Sequence, residues 1–324
     1  MKIDEPRAEI ERKRAQLKAL GGLKTTAQKN LDEWYRVELT FTSNAIEGNT
    51  LSRAETAQVV EKNLTVAGKS IREHLEAINH ARAWEWVKKQ VRVKNRPNNQ
   101  RLLELHQLIL QKIDDMDVGK YRSVPVRIAG SRVILPNPMK VPTLMTEYFA
   151  WLAETEIDLV ERASEAHLRL VTIHPFADGN GRTARLIMNW LLLLAGYPPV
   201  IIAKEERGEY IESLEQAQLG GSRERYDKLI LTALDRSYDI YLQAAGEVPE
   251  KVKELRKIGE LARAANESVA TIRHWVKMGL ILVAGESKGG YQLFTSEQVE
   301  RARRVRELQK KRRLSLEEIR GELD

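Results

Sequence analysis

The stretch HPFADGNGR, residues 174–182, places a histidine, an acid, two glycines around an asparagine, and an arginine within nine positions. Gly179, Asn180 and Gly181 let the backbone turn its N–H groups to one side, which makes a nest for an anion. A helical pattern, RTARLIMNWLLLL, begins directly afterwards, so the positive end of a helix points the same way. Arg182 and Arg185 are three apart and share a face of that helix. Together these residues describe a cradle for a chain of phosphates. Asp178 would repel phosphate directly, so an acid there implies a bridging cation. Mg2+ is the candidate, because it binds through one or two carboxylates plus substrate phosphates. His174 lies just upstream and, with an ordinary pKa of about 6.5, can take a proton from an attacking hydroxyl. Taken singly, GNG is a turn signal, a His before Pro is a loop or core residue, and an Asp beside Gly is a turn former. The conjunction is what points to a site.

The elements that must position this loop are mostly helical. A charged, exposed helix is expected over about 6–20, and a loose apolar stripe (Leu31, Trp34, Val37, Leu39, Phe41, Ile46) predicts another over about 30–47. Gly48 and Asn49 end it. Ser52 and Glu55 form a capping box that opens a helix to about 63. Further helices are expected at about 70–93, 98–113, 142–154, 158–173, 180–195, 208–218 and 222–244. Residues 124–142, VPVRIAGSRVILPNPMKVP, break the pattern and read as a short β-hairpin followed by an irregular loop. GEVPEK, at 246–251, reads as a linker. Beyond it, two short helices split near 266–268, a glycine-rich hairpin, a basic helix capped by Thr295 and Gln298, and a last helix capped by Ser315 and Glu318 are expected.

Composition narrows the function classes. The 324 residues contain no cysteine, which excludes disulfides, thiol catalysis and cysteine-ligated zinc. No apolar run reaches 18 residues, and the N-terminus lacks an apolar signal region, so a cytoplasmic protein without membrane association is expected. Residues 251–324 carry 17 Lys+Arg against 11 Asp+Glu, while the whole chain is only +7. The basic charge is therefore concentrated in the last segment, where it signals either a polyanion partner or a solvated basic surface.

HPFADGNGRTAR, residues 174–185, resembles the full signature of the Fic family, HxFx(D/E)GNGRxxR, with no departure. The resemblance extends over about 30–245 and implies a mainly α fold, a Fic helical core with a small β-hairpin flap. It also implies transfer of AMP from ATP, with Mg2+, to a hydroxyl of a target protein. His174 would then deprotonate a Ser, Thr or Tyr hydroxyl, and Asp178 would hold Mg2+. Gly179, Asn180 and Gly181 would cradle the phosphates, Arg182 and Arg185 would grip the outer ones, and Phe176 would anchor the loop. The hairpin at about 124–135 would pair with the target backbone as an added strand.

SNAIEGN, residues 43–49, is similar to the family's inhibitory motif, (S/T)xxxE(G/N). Ser43 and Glu47 sit i,i+4 on one helix face, and Glu47 would pair bidentately with Arg185 where the γ-phosphate belongs. In some relatives with this motif the glutamate positions a water that removes AMP again, so Glu47 has a second expected role. Tyr210 resembles a residue near the nucleotide base, with a packing tyrosine as the alternative. His80, His106 and His167 read as structural.

Residues 256–324 resemble a MerR-type winged helix-turn-helix domain. Its second helix, about 268–278, would enter a DNA major groove, with Thr271, Arg273 and His274 at contact positions and Tyr291 in the wing. Gln292 and Phe294 depart from the family's usual Arg and Tyr. The expected layout is an N-terminal helix (1–29), a Fic domain (30–245) with its inhibitory helix at about 30–49, a linker (246–255), and the winged domain (256–324). Both families are commonly dimeric, so a homodimer is expected. The competing reading is a DNA-binding transcription regulator whose Fic domain senses nucleotide or modifies only itself. An intact His174 counts against an inert domain.

Overall fold

The computed structural model describes residues 4–114, 117–246, 256–286, 291–295, 297–312, 314–316 and 318–319. The chain divides into two compact units, 1–245 and 246–324.

Ten α-helices are described in the first unit: α1 (Asp4–Ala19), α2 (Thr25–Ile46), α3 (Arg53–Lys62), α4 (Ile71–Arg92), α5 (Asn99–Leu110), α6 (Val141–Glu154), α7 (Leu159–Ile173), α8 (Asn180–Leu194), α9 (Arg207–Gln218) and α10 (Glu224–Ala244). Beyond its first turn α8 is apolar on nearly every side, the pattern of a helix enclosed by others. Leu186, Ile187, Met188 and Trp190 are all buried. α7 packs along α8 with Ala163, Ala166 and Leu170 fully covered, and α2, α4 and α5 also pack against it. The loop between α7 and α8 is therefore anchored at both ends by the core. Ser52 and Ser70 open α3 and α4 with complete capping boxes to Glu55 and Glu73.

Three expectations need correction. α1 is not an exposed outlying helix but packs along α10 within the first unit. Its narrow stripe of Ile10, Lys13 and Leu17 is enough, because Ile10 is buried and Lys13 lies 2.6 Å from both Asp235 and Asp239. The helix expected from about 30 starts at Thr25. The segment at 124–135 contains a turn closed by the Ser131 N–H on the Ile128 carbonyl at 3.2 Å and forms no paired ladder. A lone two-stranded ribbon is marginal in water. Here the Arg132 N–H goes instead to Glu215 on α9, at 2.8 Å.

The second unit carries α11 (Ile258–Ala264), α12 (Val269–Lys277) and α13 (Glu297–Glu307) around a three-stranded antiparallel sheet. β3 (Gln292–Phe294) is central, flanked by β1 (Arg256–Lys257) and β2 (Gly285–Glu286), with Arg256 opposite Phe294 and Gly285 opposite Leu293. The β2–β3 pair is the expected hairpin, whereas β1 was not expected. Leu261, Ile272, Trp275, Phe294 and Val305 form its core. Asn266, with φ of 56°, makes the turn between α11 and α12. Ser315 and Glu318 form the expected reciprocal cap. The expected linker lies outside the described residues except for Gly246. No helix among the described residues is long and apolar enough to cross a membrane.

Candidate functional site

His174 ends α7 in the left-handed conformation, φ 50°, with its N–H on the Leu170 carbonyl at 2.9 Å. That backbone is unfavourable for a residue with a Cβ, and Arg122 holds it in place. The Arg122 Nε donates to the His174 carbonyl at 2.8 Å and Nη2 to the Pro136 carbonyl at 2.7 Å. The His174 Nδ1 is 3.2 Å from the Val171 carbonyl, so Nδ1 carries the proton and Nε2 keeps a free lone pair. Burial pushes the His174 pKa below the ordinary histidine value, against the opposing pull of the Val171 carbonyl. The ring is neutral at neutral pH.

Phe176 is fully buried and stacks on His106 with ring centroids 3.7 Å apart. Covering such a side chain contributes about 1.5–3 kcal/mol. The Gly119 N–H donates to His106 Nδ1 at 3.1 Å, so His106 carries its proton on Nε2 and donates to the Asp178 carbonyl at 3.0 Å. Burial holds the His106 pKa down at about 4. The Asn180 side chain closes the loop from the other side. Its Oδ1 accepts from the Phe176 N–H and its Nδ2 donates to the Phe176 carbonyl, both at 2.9 Å. Asn180 thus shapes the loop with its side chain and leaves only its backbone to a ligand.

Gly179, with φ of 75°, is the N-cap of α8, and no side chain caps that end. The first N–H groups of α8, on Asn180, Gly181 and Arg182, have no acceptor within the helix. A Cβ at Gly181 would collide with Glu47 Oε1 and lie 3.0 Å from Arg185 Nη1. The Glu47 carboxylate therefore lies directly against the open N-terminus of α8, where an anion is favoured.

Arg182 and Arg185, one turn apart, face different partners. Arg182 is buried between Glu76 (3.4 Å) and Asp178 (3.3 Å). Arg185 is also buried, donating from Nε to Ser43 Oγ at 3.0 Å, and from Nη2 to the Ser43 carbonyl at 2.9 Å and to Glu47 Oε1 at 2.7 Å. The expected bidentate pair is a single charge-assisted contact, because Ser43 takes the Nε edge of the guanidinium. Asp178 accepts from the Gly179 N–H at 2.6 Å and pairs with Arg72 at 2.9 Å. Its side chain is 44% exposed and offers one carboxylate. The described residues contain no cluster of three or more His, Asp or Glu that could hold an ion. That donor set fits Mg2+ only as an ion whose remaining ligands are water and substrate phosphate.

Tyr210 is a second correction. It is 1% exposed, with its hydroxyl 2.8 Å from His167 Nε2 and in contact with Arg185, so it is the packing tyrosine of the alternative reading. His167 also meets the Tyr226 hydroxyl at 2.8 Å, and His80 meets Thr40 at 3.2 Å, both in the core as expected. In the second unit, Arg273 and His274 are exposed on α12. Thr271 is half-buried, its Oγ1 2.8 Å from Ser268 Oγ at the helix cap. Tyr291 is 62% exposed, with Lys257 over its ring.

Arg122, His106, Arg72 and Glu76 were not expected at the site. Glu76 also accepts from Asn49 at 2.9 Å, so α4 joins the end of SNAIEGN to Arg182. The i,i+4 spacing of Arg72 and Glu76 suggests a pair, and they do meet at 3.3 Å, but nothing local points either toward the loop.

Comparison with known proteins places this geometry. The sequence matches the Fic/DOC family over residues 97–192 and the MerR HTH family regulatory protein over 256–324. Proteins named protein adenylyltransferase Fic are 35% identical over 78% of this chain in Drosophila willistoni and 36% identical over 77% in Culex quinquefasciatus. The chain spans about half the length of these curated relatives. A Fic domain containing signaling protein from Bacteroides thetaiotaomicron superposes with a TM-score of 0.69 at 28% identity, covering 75% of this chain and 100% of that one. Fic-1 from C. elegans superposes with a TM-score of 0.67 at 31% identity, covering 75% of this chain and 73% of the solved one. The signature loop, the helical core around it and these likenesses agree: the chain belongs to the Fic/DOC family.

Proposed function

We propose that this chain is a protein adenylyltransferase, moving AMP from ATP to a Ser, Thr or Tyr hydroxyl of a target protein, and that Glu47 restrains it. One observation carries the reading. A neutral histidine with a free Nε2 and a helix N-terminus without a side-chain cap are held on one loop, and a carboxylate from a distant part of the chain, Glu47, lies against that N-terminus. In the forward step His174 Nε2 takes the hydroxyl proton while the hydroxyl oxygen attacks the α-phosphate. The new O–P bond forms as the bond to the leaving pyrophosphate breaks. The α8 N–H groups of Gly181 and Arg182, with Arg185, balance the negative charge of the outer phosphates. Asp178 would hold Mg2+, which supplies further charge neutralisation at the phosphates. The segment at 124–135, with Val124 and Ile134 exposed, would receive the target backbone.

Glu47 restrains the reaction by occupying the helix end and engaging Arg185. The test is intact mass after incubating Glu47→Gly with Mg-ATP. An added AMP, absent or much weaker in the unaltered chain, is expected. No gain in the variant refutes the restraint. Glu47 as the positioner of a water for AMP removal is tested separately, by release of AMP from a purified modified target. For the second unit we propose duplex DNA as partner through α12, supported by the family match and by exposed Arg273 and His274.

A further inference from the structure

A separate cavity of about 660 Å³ opens at the other end of α8. It lies between the end of α4, α6, the start of α7 and the end of α8. The rise of 1.5 Å per residue puts Ala195 about 20 Å along the helix from Arg182. The volume falls in the usual range for small-molecule sites. Most of the wall is apolar, with Val91, Phe149, Leu159 and Leu194 contributing. Leu159 is 41% exposed, so this apolar surface is open to solvent.

Charge decides what fits. Lys94, Arg96 and Arg162 line the cavity, and no acidic residue does. Lys94 and Arg96 are exposed and have no ion-pair partner among the described residues, in a chain where most site arginines are paired. Arg162 donates through Nη2 to the Thr155 carbonyl, while its Nε is buried without a partner. Three cations beside an apolar wall complement a molecule with one anionic head and an apolar tail. The helix ends nearby do not alter this. Near the end of α8 the Leu193 and Leu192 carbonyls accept from the Gly196 and Tyr197 N–H groups, and the Ala195 carbonyl just beyond it accepts from Arg14. The N-terminus of α7, which could have served a phosphate, is capped by Asp158 at 3.0 and 3.1 Å. The head is therefore one that side-chain cations alone can hold.

We infer that this cavity binds a single-tailed amphipathic carboxylate, with the tail against Phe149, Leu159 and Leu194 and the head at Lys94, Arg96 and Arg162. Isothermal titration of the full chain with dodecanoate, below its micelle concentration, is expected to show one saturable site. Lys94→Glu combined with Arg96→Glu alters only exposed positions, and it is expected to weaken binding by about tenfold or more. Dodecanol, the same tail without the charge, should bind about tenfold more weakly than dodecanoate. Leu194→Glu should remove binding while leaving the thermal melt in place. Absence of a saturable site overturns the inference, as does undiminished binding by the double variant. A dimer in sedimentation that Leu194→Glu dissolves overturns it too, because a second copy of the chain is then the occupant.

Discussion

Both units carry arginines on a helix proposed to meet a polyanion, yet their surroundings are opposite. In the first unit Arg185 is buried and already holds a carboxylate from α2. In the second unit Arg273 stands exposed on α12 with no ion-pair partner among the described residues. The second unit's four α13 arginines all have partners, although Arg303 and Arg304 are more than half exposed. Arg301 donates to the Leu280 carbonyl, Arg303 to Glu300 and the Ala264 carbonyl, Arg304 to Glu307, and Arg306 to Glu267. The difference teaches that net charge does not count available cations. The first unit has a low charge density, a net +3 over residues 1–245, yet it concentrates its working charges and fills them from within. The second is more densely basic, a net +4 over residues 246–324, but Arg301 and Arg306 are engaged in contacts between its own elements.

The strongest way to break this comparison is His174→Ala. Loss of the base should lower AMP transfer about 10²–10⁴-fold, measured with labelled ATP in the Glu47→Gly background. Retention of duplex DNA by the full chain should not change, since the two activities are assigned to different units. Coupled loss of both would end the separation.

Acidity gives the next effect. His174 has a depressed pKa, so it stays an unprotonated base as pH falls past the ordinary histidine value of about 6.5. Below its own pKa, the rate should fall about tenfold per pH unit. A rate profile whose acid limb begins at or above pH 6.5 would contradict the burial argument. Stability should follow the same sign. His106, lowered to about 4, and His80 and His167, each lowered to about 3, are buried neutral. Their contribution is complete above about pH 6.5 and is lost as pH falls toward those values. Melting of the first unit should therefore weaken in acid, and a Tm unchanged from pH 7 to 5 would argue against it.

Smaller effects sharpen the contrast between open and engaged arginines. Arg273→Ala should weaken duplex binding about fivefold or more in a low-salt gel shift. Arg304→Ala, whose guanidinium faces Glu307, should change it by about twofold or less. Equal losses would mean that charge count matters more than availability. The smallest expected effect is Ser52→Ala, which removes the α3 capping box and should cost about 1 kcal/mol in denaturant unfolding.

Much of this was legible in the sequence because its signals were local. The caps at Ser52 and Ser315 depend on residues three apart, and the helix-turn-helix spacing depends on Asn266. The order of histidine, acid, glycines and arginines lies within one loop and the helix turn after it. The misreadings share a cause. Tyr210 and Ile211 are neighbours on α9, and only packing decides that Tyr210 is enclosed while Ile211 is 40% exposed. The α1 stripe looked too polar to bury, until Asp235 and Asp239 met Lys13. The residues at 124–135 alternate like strands, but their partners lie on another element.

The sequence by itself determined the chemistry on offer: a base, an acid, a glycine turn and two arginines at fixed helical spacing, with a stretch far upstream that resembles the family's inhibitory motif. Residue types and short-range backbone preferences are enough for that. Only the tertiary structure decided which of those charges are free. Contacts such as Arg185 with Glu47, Arg182 with Glu76, and Arg122 with the His174 carbonyl join residues 52 or more positions apart. They follow from how α2 and α4 pack on α8, and that depends on burying apolar surface across the whole unit rather than on any local signal.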